Sequence, residues 1–455
     1  MLPPYHTEEI DMRMHRMLVL VVAVVLAVQF PALPATAADL AKAAPADAGF
    51  LAERLDRIDG ALRPYIADGQ LAGAVVGVAR QGKLVYLKSF GSADTEAGKP
   101  MTDDAIFRIA SMTKAITSVA VMMLQEEGRL LIKDPVSKYI PEFKGQQVMV
   151  ARDPKDPKAG FDTVAATRDI TIRDLLSHSS GITYRFWGNA AAAVYEEGGV
   201  ADGLTPTAGT VCDGMRKLAK LPLLHQPGTA FEYGINTDVL GCLVEVVSGM
   251  PLDRFMKERI FTPLRMTDTQ FYISAAQRGR VAGLYIPDGK GGMAKAGDEP
   301  IRWGTLAFAA NLPYSDQRTY FSGGAGLTST AMDYLRFTQM LLNGGVLDGQ
   351  RLLGPKTVEL MRTNAIGAIS LWDTLDPAAI GNLGDKFGLG FGIRSERGLT
   401  ELGSVGEFMW AGIYNTRYWM DPKENLAIVF MSQRIPRLPD IEEKVHAAVY
   451  QAIVK

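Results

Sequence analysis

Two strand patterns near the start of this chain are matched by two near its end, and that symmetry limits the folds open to it more than any other feature. Residues 73–80 (GAVVGVAR) and 84–90 (LVYLKSF) flank Gln81-Gly82-Lys83, a glycine-containing turn that predicts a β-hairpin. Residues 414–420 and 426–432 repeat the pattern, and a helical pattern follows at 441–454. Ahead of the first hairpin, Leu51, Leu55, Ile58, Leu62 and Ile66 recur at intervals of three and four, which predicts an amphipathic helix over 50–67. Each end of the chain thus supplies a strand pair and a helix. The economical arrangement is one antiparallel sheet made by both ends, flanked by the terminal helices, with a mainly helical lobe between them: an α+β fold.

The middle supports this division. Helices are expected at 111–127, 172–176, 238–248 and 331–343. Residues 151–165 and 287–299 are rich in Gly, Pro and charge, and read as loops that could frame a substrate opening. With 455 residues and 47% hydrophobic content, the chain can bury one large core or two lobes sharing a cleft. The expected organisation is a leader over 1–38 and one domain over 39–455. Its sheet lobe is drawn from about 50–105 and 385–455, and its helical lobe from about 106–384.

The leader is read from residues 17–28 (MLVLVVAVVLAV), an apolar run preceded by Arg13 and Arg16 and followed by Pro31, Pro34 and small residues up to Ala38. This is the pattern of a secretory signal peptide cleaved near Ala37 or Ala38. The run is shorter than the roughly 20 residues of a transmembrane helix, so no stable membrane anchor is expected after cleavage. Glu8, Glu9 and Asp11 are out of place in a positive n-region, which points to a true start at Met12 or Met14. The destination would be the periplasm or the medium.

Net charge is −2 with no basic block, which argues against nucleic acid and for a small-molecule partner. The five histidines, His6, His15, His178, His225 and His446, show no ligand spacing, so no metal and no cofactor are expected. Cys212 and Cys242 would meet an oxidising compartment. The sequence leaves their pairing open, and Cys242, inside an apolar helical stretch, reads more naturally as a buried small hydrophobe.

Ser111-Met112-Thr113-Lys114 is the only S-x-x-K in the chain. On a helix, residues three apart face the same way, so Ser111 and Lys114 can touch. A serine hydroxyl needs a neighbouring base to act as a nucleophile, and a lysine can be that base where burial disfavours the ammonium. Ala110, Met112, Ala115, Ile116 and Val119 supply such an apolar setting. At the start of a helix, backbone N–H groups and the positive dipole end would favour an oxyanion. No serine follows a glycine by two residues, so the nucleophile elbow of α/β-hydrolases is absent.

Downstream come Leu175-Leu176-Ser177-His178-Ser179-Ser180-Gly181, then Gln226-Pro227-Gly228-Thr229-Ala230-Phe231-Glu232-Tyr233, then Phe387-Gly388-Leu389-Gly390-Phe391-Gly392. With S-x-x-K these motifs resemble the serine beta-lactamase and penicillin-binding-protein superfamily, in the class C beta-lactamase-like branch that includes the family VIII carboxylesterases. The resemblance runs from about Phe50 to the C-terminus. It implies that Ser111 is the acylated nucleophile, Lys114 its base, and Tyr233 the phenol that shuttles protons to the leaving group. It also implies that the S-H-x-S-G histidine, here His178, is structural, a reading extended to His225. The Gly388, Gly390, Gly392 run lacks the strand-to-helix context of a dinucleotide site and is read as a tightly packed strand, and Met112, Met122 and Met123 as helix core.

The departures narrow the substrate. The lactamase second motif, Y-x-N, reads Tyr233-Gly234-Ile235 here, and Asn236 stands one residue too far, so Ile235 removes a hydrogen-bond partner for an acylamino group. In place of the third motif, K-T-G, stands Trp410-Ala411-Gly412, as in the esterase branch. Loss of that lysine favours neutral esters over carboxylate-bearing lactams. Gly412 would let the strand approach the ligand, the backbone N–H of Ile413 would complete an oxyanion hole with that of Ser111, and Trp410 would wall the acyl or alcohol pocket. The expectation is an exported serine hydrolase of small carboxylic esters. A beta-lactamase or D-alanyl-D-alanine carboxypeptidase is the alternative, and an inactive penicillin-binding-like receptor is disfavoured by the presence of all three polar residues.

Overall fold

Strand β1 (Gly73–Arg80) is buried along its whole length, because it lies at the centre of the sheet with a neighbour on each edge. The computed structural model describes residues 39–153, 155, 160–314, 318–377 and 381–455, which lie within one compact unit, Thr36–Lys455. The leader predicted over 1–38 lies outside the described residues. β1 turns into β2 (Lys83–Asp94) through Gln81 and Gly82, both at positive φ (53° and 78°), the mirror-image turn that matches the twist of a two-residue hairpin. β3 (Lys99–Pro100) closes that edge. The rest of the sheet comes from the other end of the chain: β4 (Lys386–Phe387), β5 (Gly392–Ile393), β6 (Phe408–Gly412), β7 (Thr416–Asp421) and β8 (Leu426–Ser432). The order is β4-β5-β6-β7-β8-β1-β2-β3, antiparallel throughout. The two ends of the chain meet where Val76 pairs with Phe430 and Val78 with Ile428.

Alternation divides the sheet between two cores. Val76, Val78, Ile428 and Phe430 pack under α1 (Arg57–Ala67) and the C-terminal helix. Val75, Ala79, Val429 and Met431 face the opposite way, toward α2 (Thr113–Glu126) and the larger helical core. That core also holds α3 (Ile172–Leu176), α4 (Val211–Leu218), α5 (Asn236–Ser248) and α6 (Ala331–Leu342). α6 lies directly on β1: a Cβ at Gly77 would stand 2.7 Å from Leu335 Cδ1. The C-terminal helix, α7 (Pro439–Tyr450), completes the outer layer. The fold is α+β, as the strand and helix patterns predict.

Several local expectations are corrected. The helix expected over 50–67 breaks at Asp56 into Ala52–Leu55 and α1. The strand expected from 414 starts at Thr416, because Asn415 takes a positive φ of 65° in the turn after Gly412. The two stretches read as loops each carry part of a hairpin. Gln147–Ala151 pairs with Phe161–Ala165, and Tyr285–Pro287 with Met293–Lys295. Cys212 and Cys242 form a disulfide joining α4 to α5, across 30 residues of sequence; Cys242 is buried as expected, but as half of this bond and not as a lone small hydrophobe. Among the described residues no helix is long and apolar enough to cross a membrane.

Candidate active site

Ala110, immediately before the serine, is forced to φ +39°, a conformation that costs a non-glycine residue strain and is found where structure is held for a purpose. Its neighbours hold it there. Phe107–Arg108 pairs with Thr328–Ser329, Ile109 N–H donates to Leu327 O at 3.1 Å, and the Tyr334 hydroxyl of α6 donates to Met112 O at 2.9 Å. Residues Ala110–Met112 form a single 3-10 turn that runs into α2, so Ser111 sits at the helix start and only partly buried.

Lys114 projects from the first turn of α2 and is 2% exposed. Its Nζ has three hydrogen-bond partners: Ser111 Oγ at 3.2 Å, Tyr184 OH at 2.9 Å and Gly324 O at 2.8 Å. The spacing of S-x-x-K therefore brings serine and lysine together as the helix requires. Tyr233 is placed differently from expectation. Lys114 Nζ lies over its ring, 4.8 Å from the centroid, while its hydroxyl accepts a hydrogen bond from Trp410 Nε1 at 3.0 Å. The phenol bonded to the lysine is Tyr184, which the motifs did not single out. Burial holds the Tyr184 hydroxyl well above the usual phenol range, with the charges of Tyr233 and Asp238 adding to the shift, so it stays protonated.

The Gly324 carbonyl is aimed by a buried carboxylate. Asp238, 1% exposed in the first turn of α5, accepts from Gly324 N–H (2.7 Å), Ser322 Oγ (2.7 Å) and Tyr320 OH (2.8 Å). Burial raises the Asp238 pKa against the pull of those donors. Segment 322–326 can pass this close because of its glycines: a Cβ at Gly323 would stand 2.6 Å from Thr237 O. The run Gly323-Gly324-Ala325-Gly326 was the available sequence signal for such an approach. Tyr184 carried none beyond its place after the S-H-x-S-G turn.

His178 behaves as a structural residue. It is buried, its Nδ1 meets Asn236 Nδ2 at 2.9 Å and accepts from Gly234 N–H at 3.3 Å, and its ring packs on Tyr233 with centroids 4.8 Å apart. Burial, then the Lys114 charge, push its pKa well below the usual imidazole range. Asn236 also binds Ser180 Oγ and Ile182 O, so its amide ties the 178–182 turn to α5 and is not offered to a ligand. Ile235 is corrected: it is 1% exposed, caps α5 within the core and does not line the cavity. The register of the second motif is set by helix packing here.

Above Ser111 lies a cavity of about 340 Å³, within the range of small-molecule sites. Ser111, Tyr233, Trp410, Gly412 and Ile413 all line it, together with Phe186, Trp187, Trp303, Leu306, Leu375 and Leu383. Gly412 is required where it stands, since a Cβ there would lie 2.4 Å from Ile109 O, and this brings the end of β6 against the Ser111 turn. Among the described residues the sole charged lining residue is Arg437, which is paired with Glu442. Among the described residues none of 151–165 or 287–299 lines the cavity; residues 186–187 and the hairpin Ile301–Trp303 and Leu306–Phe308 contribute to its wall instead. The strand expected through Gly388, Gly390 and Gly392 is interrupted by a turn between β4 and β5, closed by Gly388 N–H on Phe391 O at 2.8 Å, and a Cβ at Gly390 would stand only 2.3 Å from Ser118 Oγ of α2. Among the described residues no group of three or more His, Cys, Asp or Glu could hold a metal ion.

Comparison with known proteins agrees with this architecture. The Beta-lactamase family model matches residues 58–452. Protein Rv1367c of Mycobacterium tuberculosis is 35% identical over 84% of this chain and 91% of its own length. Esterase EstB of Burkholderia gladioli is 31% identical over 85% of this chain and 91% of its own. Among solved structures, EstCE1, described as a hydrolase with promiscuous acyltransferase activity, superposes with a TM-score of 0.75 at 26% identity, covering 88% of this chain and 99% of that one. The chain therefore belongs to the beta-lactamase family, as a serine hydrolase of beta-lactamase fold related to its esterase members.

Proposed function

We propose that the protein is an exported carboxylesterase that cleaves small esters through an acyl-enzyme on Ser111. The observation that carries this reading is the cavity itself: apolar and aromatic walls, with Trp410 on the strand where a lactamase would present a lysine. An uncharged amine has two N–H groups and one lone pair. With Gly324 O and Tyr184 O accepting the two N–H groups, the Lys114 lone pair is left to take the Ser111 proton. Ser111 Oγ then bonds to the ester carbonyl carbon, and the oxyanion is held by the backbone N–H groups of Ser111 and Ile413. Tyr233, which shares the cavity with Ser111, delivers a proton to the departing alcohol as the carbon–oxygen bond breaks. The Lys114 ammonium then reprotonates Tyr233, which frees the amine to take a proton from a water whose oxygen bonds to the acyl carbon; as the acid leaves, that proton returns to Ser111 Oγ.

Export rests on the leader pattern and is supported by the Cys212–Cys242 disulfide, a bond that persists in oxidising compartments. Mass spectrometry of the mature N-terminus tests it: cleavage near Ala37 or Ala38 is expected, and an intact leader on the mature protein contradicts it. One observation favours beta-lactam hydrolysis instead, the Arg437 guanidinium in the cavity wall. Its Nε donates to Glu442 Oε1 at 3.2 Å, however, so this cation already has a carboxylate partner within the protein. The acyl-enzyme is tested with a fluorophosphonate: one adduct on the peptide bearing Ser111 is expected, and an unlabelled wild type overturns the mechanism.

A further inference from the structure

The mouth of the cavity carries a half-exposed indole. Trp303 is 41% exposed although it lines the catalytic cavity, and among the described residues no aromatic ring packs against it. Trp187, which lines the same cavity and is equally exposed, differs: it packs on Phe186 (5.0 Å between centroids) and Tyr233 (6.4 Å), and its Nε1 donates to Tyr233 O at 2.7 Å. Trp187 is therefore part of an aromatic surface continuous with the catalytic tyrosine, and Trp303 a separate indole.

Trp303 is held in place, not left loose. It ends one strand of the hairpin, pairs with Leu306, and stands next to Gly304, whose φ of +59° makes the turn. The Thr305 hydroxyl donates to Phe186 O, and Arg302 bonds Glu196 at 3.1 Å, so the hairpin is fastened to the chain around Trp187. A fixed, half-exposed tryptophan beside a catalytic serine has apolar surface that water covers poorly and a flat ligand covers well.

We infer that Trp303 is a specificity residue that selects esters carrying a planar aromatic group which projects from the reacting carbonyl to the mouth. This rests on the ester reading above. The same stacking serves an aromatic ring on the alcohol or on the acyl side, and substrates distinguish the two. Ethyl butyrate is the reference; benzyl butyrate and ethyl 4-phenylbutyrate place the ring on either side; cyclohexylmethyl butyrate and ethyl 4-cyclohexylbutyrate are their saturated counterparts. For at least one pair, KM for the aromatic ester should be about 3- to 10-fold below that of its saturated counterpart, the range edge and face packing of rings supplies. Trp303→Ala should bring that ratio to about one, and Trp303→Phe should restore most of it. Equal KM values within both pairs for the wild type, or a ratio unchanged in Trp303→Ala, overturns the inference while leaving the esterase reading intact. No turnover of ethyl butyrate by the wild type overturns the esterase reading and this inference with it.

Discussion

Lys114 and Trp303 belong to the same site, yet one is 2% exposed with three hydrogen-bond partners and the other is 41% exposed with an open ring face. The floor of the site is overdetermined. The Ser111 turn is braced by Leu327 and Tyr334, the lysine by Tyr184 and Gly324, and Gly324 in turn by Asp238. The mouth is held at its base, through Thr305 and Arg302, and left uncovered at its tip. Chemistry that depends on distances near 3 Å needs the first kind of construction, because loss of geometry costs rate steeply. Substrate choice needs the second, because an open apolar face gains most from being covered. Changes at the floor should therefore alter kcat, and changes at the mouth should alter KM.

The largest effect expected is at the nucleophile. Ser111→Ala should lower kcat/KM on esters by about 10⁴-fold or more with an unchanged melting temperature, and residual turnover within about tenfold of wild type would break the account of the floor.

A second effect concerns what supports the floor. Asp333, 2% exposed in the first turn of α6 one residue before Tyr334, has its pKa raised to about 7 by burial, despite hydrogen bonds from Thr269 Oγ1 and Asp268 N–H. The folded state thus holds a proton that the unfolded chain gives up near pH 4, so this stabilisation is full below pH 4 and is lost as pH rises through about 7. The change amounts to roughly 4 kcal/mol at most. Urea midpoints should fall between pH 5 and 8, and Asp333→Asn, which keeps the accepting oxygen, should flatten that slope. An identical slope in the variant would show that other groups set it.

The disulfide supports the floor from the other side, since α5 begins three residues after Tyr233. Closing a 30-residue loop restricts the unfolded chain by about 3–4 kcal/mol. Cys212→Ser with Cys242→Ser should lower the unfolding midpoint accordingly while KM for a small ester stays the same. A selective change in KM would mean that the mouth is not independent of this support.

The smallest of these effects sharpens the division of labour between the two phenols. Tyr184→Phe removes one hydrogen bond from Lys114 and should lower kcat by about 10- to 100-fold with little change in KM. Tyr233→Phe should act through kcat as well, and more strongly with alkyl esters than with nitrophenyl esters, whose alcohol leaves without a proton. Equal sensitivity to the leaving group in both variants would remove the distinction drawn between them.

This contrast also marks what the sequence could disclose. The Ser111–Lys114 pair was legible because helix geometry alone sets an i, i+3 contact, and the shared sheet because period-two and helical patterns recur at both ends. Tyr184 and Asp238 were not, since their partnership with Lys114 and Gly324 depends on the long-range approach of 322–326 to α2 and α5, for which the glycine run was the only sign. Ile235 was misread because its place in a motif says nothing of which way the first turn of α5 faces. Composition misled at 151–165, where Phe161, Thr163 and Val164 form a strand despite the Gly, Pro and charge beside them. Trp303 had no motif at all; only the fold brings it to the site.

The central claim is that the Ser111 floor works beneath a cavity built for neutral esters. Its most direct test is kcat/KM of the purified mature protein on p-nitrophenyl butyrate and on a chromogenic cephalosporin, with Ser111→Ala as the control. The account predicts a preference for the ester of several hundredfold or more, abolished in the variant. A preference for the cephalosporin would contradict it, and would assign the substrate carboxylate to Arg437.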